Sequence, residues 1–115
     1  MVRKKENNYE SSVELVLAQI GGKWKGVILW YLNHGTKRFG ELQRLVNGIT
    51  QKVLVQQLRE LEEDGLIERK IYAEVPPKVE YFVTEYGKSI KPLLDMMCNI
   101  GVDHKNMPGC PMKKK

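Results

Sequence analysis

The chain is poor in the side chains that carry covalent chemistry. Its 115 residues include two histidines and two cysteines. His34 and His104 lie far apart, and neither has a partner at motif spacing. Cys98 and Cys110 are too few and too late in the chain for a disulfide framework. With His104 they would offer three donors at a spacing that matches no zinc pattern, and a fourth ligand is missing. Gly21 and Gly22 form a helix break, not a glycine-rich phosphate loop. No enzyme constellation, metal site or cofactor is therefore expected. Long apolar runs are also missing, so no membrane span is expected. Met1 to Asn8 is polar and charged with no apolar run behind it, so no signal peptide is read there and the cytoplasm is the expected compartment. No internal repeat or low-complexity block is present.

Positive charge is abundant, but its total misleads. The net charge is +5, yet Arg3, Lys4, Lys5, Lys113, Lys114 and Lys115 all lie in the tails. Without those six, 13 basic residues face 14 acidic ones, and the body stands at −1. The distribution is more informative. From Lys23 to Arg59 there are seven basic residues and one acidic residue, Glu41; from Glu60 to Glu68 there are five acidic residues and no basic one. Segregation of this kind marks a basic face that meets a polyanion and an acidic end that points away from it.

Thr50 to Val83 is the most informative stretch. Thr50 can cap a helix, because its hydroxyl can accept an N–H that the first turn leaves unpaired. Leu54, Leu58 and Leu61 then recur at helical spacing as one apolar stripe. Lys52, Gln56 and Arg59 project from the opposite face, and Gly65 supplies a left-handed C-cap. Two runs with period-2 patterning follow, LIERKIY and KVEYFVT. The segment Ala73-Glu74-Val75-Pro76-Pro77 joins them, and its prolines belong at the tip of a hairpin, not inside a ladder. An amphipathic helix followed by a stiff-tipped hairpin is the order of a winged-helix DNA-binding domain. An ordinary surface helix and an ordinary hairpin are the plainer alternatives.

The remaining elements fit around this core. Residues 1–10 are expected to form a flexible basic tail, 11–105 a single domain, and 106–115 a second flexible basic tail. A first helix is predicted from Ser12 to Ile20, with Ser11 and Glu14 as a capping box and Val13, Leu17 and Ile20 as its stripe. A second runs from Lys23 to Asn33, with Trp24, Val27, Ile28 and Tyr31 inward, and Gly35 stops it. Thr36 to Phe39 is extended, and a third helix from Gly40 to Leu45 carries Leu42 and Leu45. Thr84 caps one long final helix reaching Gly101, which Pro92 should kink. The fold class is α+β: a mostly helical winged helix-turn-helix with a small antiparallel wing sheet.

The runs IGGKWK, RFGEL, ITQKVL, QLRELEEDGLIER, EVPPKVEY and TEYGKS together resemble the HxlR family of bacterial transcriptional regulators. The resemblance extends from about Val13 to Gly101. It implies a small dimeric winged-helix protein related to the MarR group. Many members carry a cysteine just before the first helix, and some use it to sense oxidants or electrophiles. Here that stretch is Ser11-Ser12-Val13-Glu14, so thiolate chemistry is unavailable at this position.

The expected DNA contacts follow. The amino-terminal half of the fourth helix should enter the major groove, with Thr50, Gln51, Lys52, Val55, Gln56 and Arg59 as its candidates. Gln56 suits adenine, Arg59 guanine, and Val55 a thymine methyl. Arg38 is a candidate phosphate clamp, with a surface ion pair to Glu41 as its alternative. Lys78 and Lys70 should reach the minor groove or backbone beside the wing. Lys23 and Lys25 lie near the start of the second helix, where they either meet a phosphate or are merely solvated. The expected partners are double-stranded DNA and a second copy of the chain. Val13, Val16 and Leu17 of the first helix, with Ile90, Leu93, Leu94, Met97 and Ile100 of the last, present more apolar surface than one small domain can cover, so the dimer interface is placed there. The rival readings are a protein–protein interaction module and an architectural DNA binder without sequence choice.

Overall fold

The computed structural model describes residues 11–105, with side chains as far as Val102. Both predicted tails, and with them Cys110 and the side chain of His104, lie outside the described residues. Helix α1 spans Ser12–Ile20 and starts where the Ser11 hydroxyl accepts the Glu14 N–H at 3.1 Å. Gly22, at φ 81°, turns the chain towards α2, Lys25–Leu32. Strand β1, Lys37–Arg38, leads into α3, Phe39–Leu45, and then α4, Gln51–Glu63. The hairpin consists of β2, Ile67–Tyr72, and β3, Lys78–Val83; two further helices, α5 (Glu85–Ser89) and α6 (Lys91–Lys105), follow. The sheet order is β1-β3-β2, antiparallel throughout.

Helix α2 is the centre of the core. Ile28, Leu29, Trp30, Tyr31 and Leu32 are buried in unbroken succession. Five consecutive positions cover more than a full turn, so this helix is enclosed on all sides and is not amphipathic. It touches α1, α3, α4, α6 and β3. Val27, expected inward, is 41 % exposed instead. It precedes the enclosed turn and lines the open groove between α1 and α6.

The wing alternates only at its base. Ile67 and Tyr81 are buried, whereas Ile71, on the same face, is 61 % exposed. On β2 the hairpin outruns the core beneath it and Ile71 stays in solvent, while Val79, opposite it on β3, still packs against the core.

The predicted single kinked helix is two helices that meet at Ile90. Pro92 explains the difference. It occupies the second position of α6, where a missing N–H costs no intrahelical bond, and α5 has ended before it. The proline therefore starts a helix here; it does not bend one.

Candidate nucleic-acid interface

Local chemistry sets the orientation of α4. The Thr50 hydroxyl accepts the Val53 N–H at 3.2 Å and fixes the first turn. Leu54, Leu58 and Leu61 are each at most 2 % exposed, which locks the inner face. At the far end the Leu66 N–H reaches the Leu61 carbonyl and the Gly65 N–H reaches Glu62, a paired closure made possible by φ 78° at Gly65. The opposite face leaves Thr50, Gln51, Lys52, Val55, Gln56 and Arg59 exposed together. They share one side of one helix, with the acidic residues confined to its carboxyl end.

Helix α3 precedes α4 in the chain and packs on α2 and the sheet. The Arg38 N–H donates to Oε1 of Glu41 at 2.8 Å. Glu41 is thus engaged by the backbone of Arg38, and Arg38 remains exposed. Pairing of β1 with β3 sets Arg38 opposite Glu80, and Glu80 lies opposite Lys70 on β2. Arg38, Glu80 and Lys70 therefore form a row across one sheet face, which connects the start of α3 to the wing.

The wing cations are more restrained than the sequence implies. Lys78 Nζ lies 4.0 Å from both Glu74 and Glu80, and 4.3 Å from the centre of the Tyr72 ring. Lys70 Nζ lies 5.1 Å from the same ring. The Tyr72 hydroxyl donates to Oε1 of Glu80 at 2.9 Å, and this bond raises the Tyr72 pKa above its ordinary range. Lys78, expected to reach DNA, already has two carboxylates within ion-pair distance.

Lys25 needs a firmer correction. Its Nζ is 2.6 Å from Oε1 of Glu60 on α4, and its side chain is 13 % exposed. It is held within the protein and is not presented to a phosphate. Lys23 is exposed, with its ammonium 4.7 Å from the Trp24 ring centre. The sequence marks Glu60 only as the start of the acidic run, not as the partner of Lys25. The one local sign of its contact with Gln56 is a spacing of four.

Residues 19–108 match the HxlR-like helix-turn-helix family. The chain is 57 % identical over 101 residues to the HTH-type transcriptional regulator YtcD of Bacillus subtilis (strain 168), covering 88 % of this chain and 80 % of that protein. A crystal structure of YtcD superposes with a TM-score of 0.78 at 58 % identity, covering 84 % of this chain and 99 % of that one. The oxidised form of the redox regulator HypR gives a TM-score of 0.80 at 44 % identity, covering 84 % and 100 %. The chain belongs to the HxlR-like helix-turn-helix family. By that membership it is a transcriptional regulator, and not an enzyme.

This HxlR-like protein has a second surface, made by α1 and α6. Val13 and Leu17 are exposed and Val16 is half-buried. On α6, Leu93, Met97 and Ile100 are exposed, and Met96, not singled out from sequence, joins them at 61 %. Ile90 and Leu94 do not belong to this set. They are 7 % and 5 % exposed and pack in the protein's own core. Helix α6 is thus apolar on two faces, one turned to α2 and one to solvent. An apolar groove of about 740 Å³ runs between α1, the start of α2 and α6. Trp30 lines it, and its buried indole N–H has no hydrogen-bond partner among the described residues. No described helix is long and apolar enough to cross a membrane.

Proposed function

We propose that this protein is a cytoplasmic, sequence-specific double-stranded DNA-binding regulator that acts as a homodimer on a palindromic operator, with residues 11–105 as one DNA-binding and dimerisation domain. The observation that carries the reading is the outer face of α4. Gln51, Lys52, Val55, Gln56 and Arg59 are exposed together there, while three leucines fix the helix from behind. That face supplies two amides, two cations and a methyl-bearing side chain, the groups that read major-groove edges and hold phosphate. Arg38, exposed at the start of α3, and Lys70 on the wing add candidate phosphate contacts, whereas Lys23 lies on the groove between α1 and α6.

A palindromic site needs two copies of α4 about 34 Å apart. The exposed faces of α1 and α6 support that assembly. Val13, Leu17, Leu93, Met97 and Ile100 line one side of the molecule, and an isologous contact would remove them from water. HypR is a redox regulator, but the position that carries the family's sensing cysteine is Ser11 here, and its hydroxyl caps α1. The reading therefore includes no thiol chemistry at that position.

The test is selection of bound sequences from random duplex DNA, followed by a salt titration of the winner. A palindromic consensus supports the reading. Equal affinity for all duplexes would indicate an architectural binder, and no duplex binding at moderate salt a protein-interaction module.

A further inference from the structure

Lys25 stands where its charge is unfavourable to its own helix. It opens α2, at the positive end of the helix dipole, and the first turn of α2 holds no acidic residue. What accounts for it is the carboxylate it meets. Its Nζ lies 2.6 Å from Oε1 of Glu60, across the contact between α2 and α4. The other oxygen of Glu60, Oε2, accepts from Nε2 of Gln56 at 3.3 Å, one turn earlier on α4. A carboxylate only accepts, so the amide nitrogen of Gln56 must face it and the carbonyl must face away. One amide N–H is thereby engaged. Oε1 and the second N–H remain, and these form the acceptor–donor pair that matches N6–H2 and N7 of adenine.

We infer that Glu60, anchored by Lys25, is a positioning residue that holds the Gln56 amide for adenine readout. The inference rests on the DNA-binding reading above and deepens it. An untethered glutamine turns its amide over and loses rotamer freedom when it binds; a tethered one has given up part of that freedom beforehand. Lys25 also offsets a negative charge that would otherwise repel the phosphates nearest α4.

The test compares wild type, Gln56→Ala, Glu60→Ala and the double variant by random-duplex selection and competition at each base. Wild type is expected to prefer adenine at one position of each half-site by about five-fold or more. Gln56→Ala should lose that preference, and Glu60→Ala should lose most of it at the same position. Glu60→Ala should not weaken binding to non-specific duplex. The double variant should show no greater loss than Gln56→Ala alone, because both changes remove one interaction. Lys25→Met should repeat the loss of adenine preference and also weaken binding to all duplexes, because Glu60 is left uncompensated, and Lys25→Arg should restore the wild-type profile. An adenine preference intact in Glu60→Ala, or additive losses, overturns the positioning role. Should Lys25→Met fail to fold, Glu60→Ala still decides the matter. A wild-type protein that selects no sequence removes the DNA reading itself; selection with uncoupled variants removes only this inference.

Discussion

The Thr84 hydroxyl donates to the Gly65 carbonyl at 2.6 Å, across 19 positions of sequence. The same oxygen accepts the Gly87 N–H at 3.1 Å and so caps α5. One side chain thus closes the base of the wing, meets the end of α4 and starts the path towards α6. Replacing Thr84 with Val keeps the shape and removes both bonds. The expected cost is about 1–2 kcal/mol in urea unfolding, with Thr84→Ser close to wild type. Equal stability of Thr84→Val and wild type would refute this role.

Gly87 sits beneath that junction with no room for a side chain. An added Cβ would lie 2.2 Å from the Leu66 carbonyl oxygen and 3.1 Å from Cβ of Val83. The close atom is backbone and cannot swing aside, so Gly87→Ala should cost about 3 kcal/mol or more. Gly22 is a useful contrast. It has φ 81° and nothing within 4 Å of an added Cβ, so Gly22→Ala should cost only about 1 kcal/mol of backbone strain. Thermal unfolding of the two variants ranks them, and the reverse order would contradict the packing described at Gly87.

The proposed DNA surface predicts an uneven response to charge removal. Arg38→Ala, Lys52→Ala and Arg59→Ala should each flatten the slope of log affinity against log salt by about one unit when the side chain holds a phosphate. Lys25→Ala should leave that slope nearly unchanged, because its ammonium is committed to Glu60. Lys78→Ala should fall between, since Glu74 and Glu80 compensate it. Fluorescence anisotropy over a salt series measures all five, and equal slopes for every variant would rule out this division of labour.

Alkaline pH should destabilise the protein through its buried phenols. Burial raises the Tyr81 pKa above its ordinary 10.0, although Arg69 opposes the shift, and burial raises Tyr31 likewise. In the unfolded chain these groups lose their protons near pH 10, before the folded ones do. The stability they confer is therefore complete below that pH and declines as pH rises beyond it. Tyr81→Phe should show a shallower decline in unfolding free energy from pH 9 to 11. An identical decline would mean that Tyr81 contributes nothing to it.

Assembly is best tested on the side chains that face solvent. Leu93→Asp with Met97→Asp should yield a folded monomer in sedimentation at micromolar concentration, with operator affinity strongly reduced. Leu94→Asp is a different experiment. Leu94 is 5 % exposed in the core, so a carboxylate there should cost several kcal/mol and unfold the chain irrespective of assembly. A dimer that survives the Leu93 and Met97 changes would move the interface elsewhere.

The sequence by itself determined the features that depend on neighbours within one or two turns. Ser11, Thr50 and Thr84 cap helices because a hydroxyl reaches a backbone N–H three residues on. Leu54, Leu58 and Leu61 share a face because the helix repeats every 3.6 residues, and that fixes the opposite face of Lys52, Gln56 and Arg59. The wing register follows from alternation and from prolines that can stand only at its tip. The tertiary structure decided what depends on which elements meet. From sequence Lys25 is either a phosphate contact or a solvated cation; the crossing of α2 and α4 makes it neither, by setting Glu60 against it. Ile90 and Leu94 looked like dimer surface, and only the packing of α6 on α2 turned them inward while Leu93 and Met97 stayed outside. Local periodicity gives each helix an apolar side, but a helix apolar on two sides carries no mark of which one its own core will take.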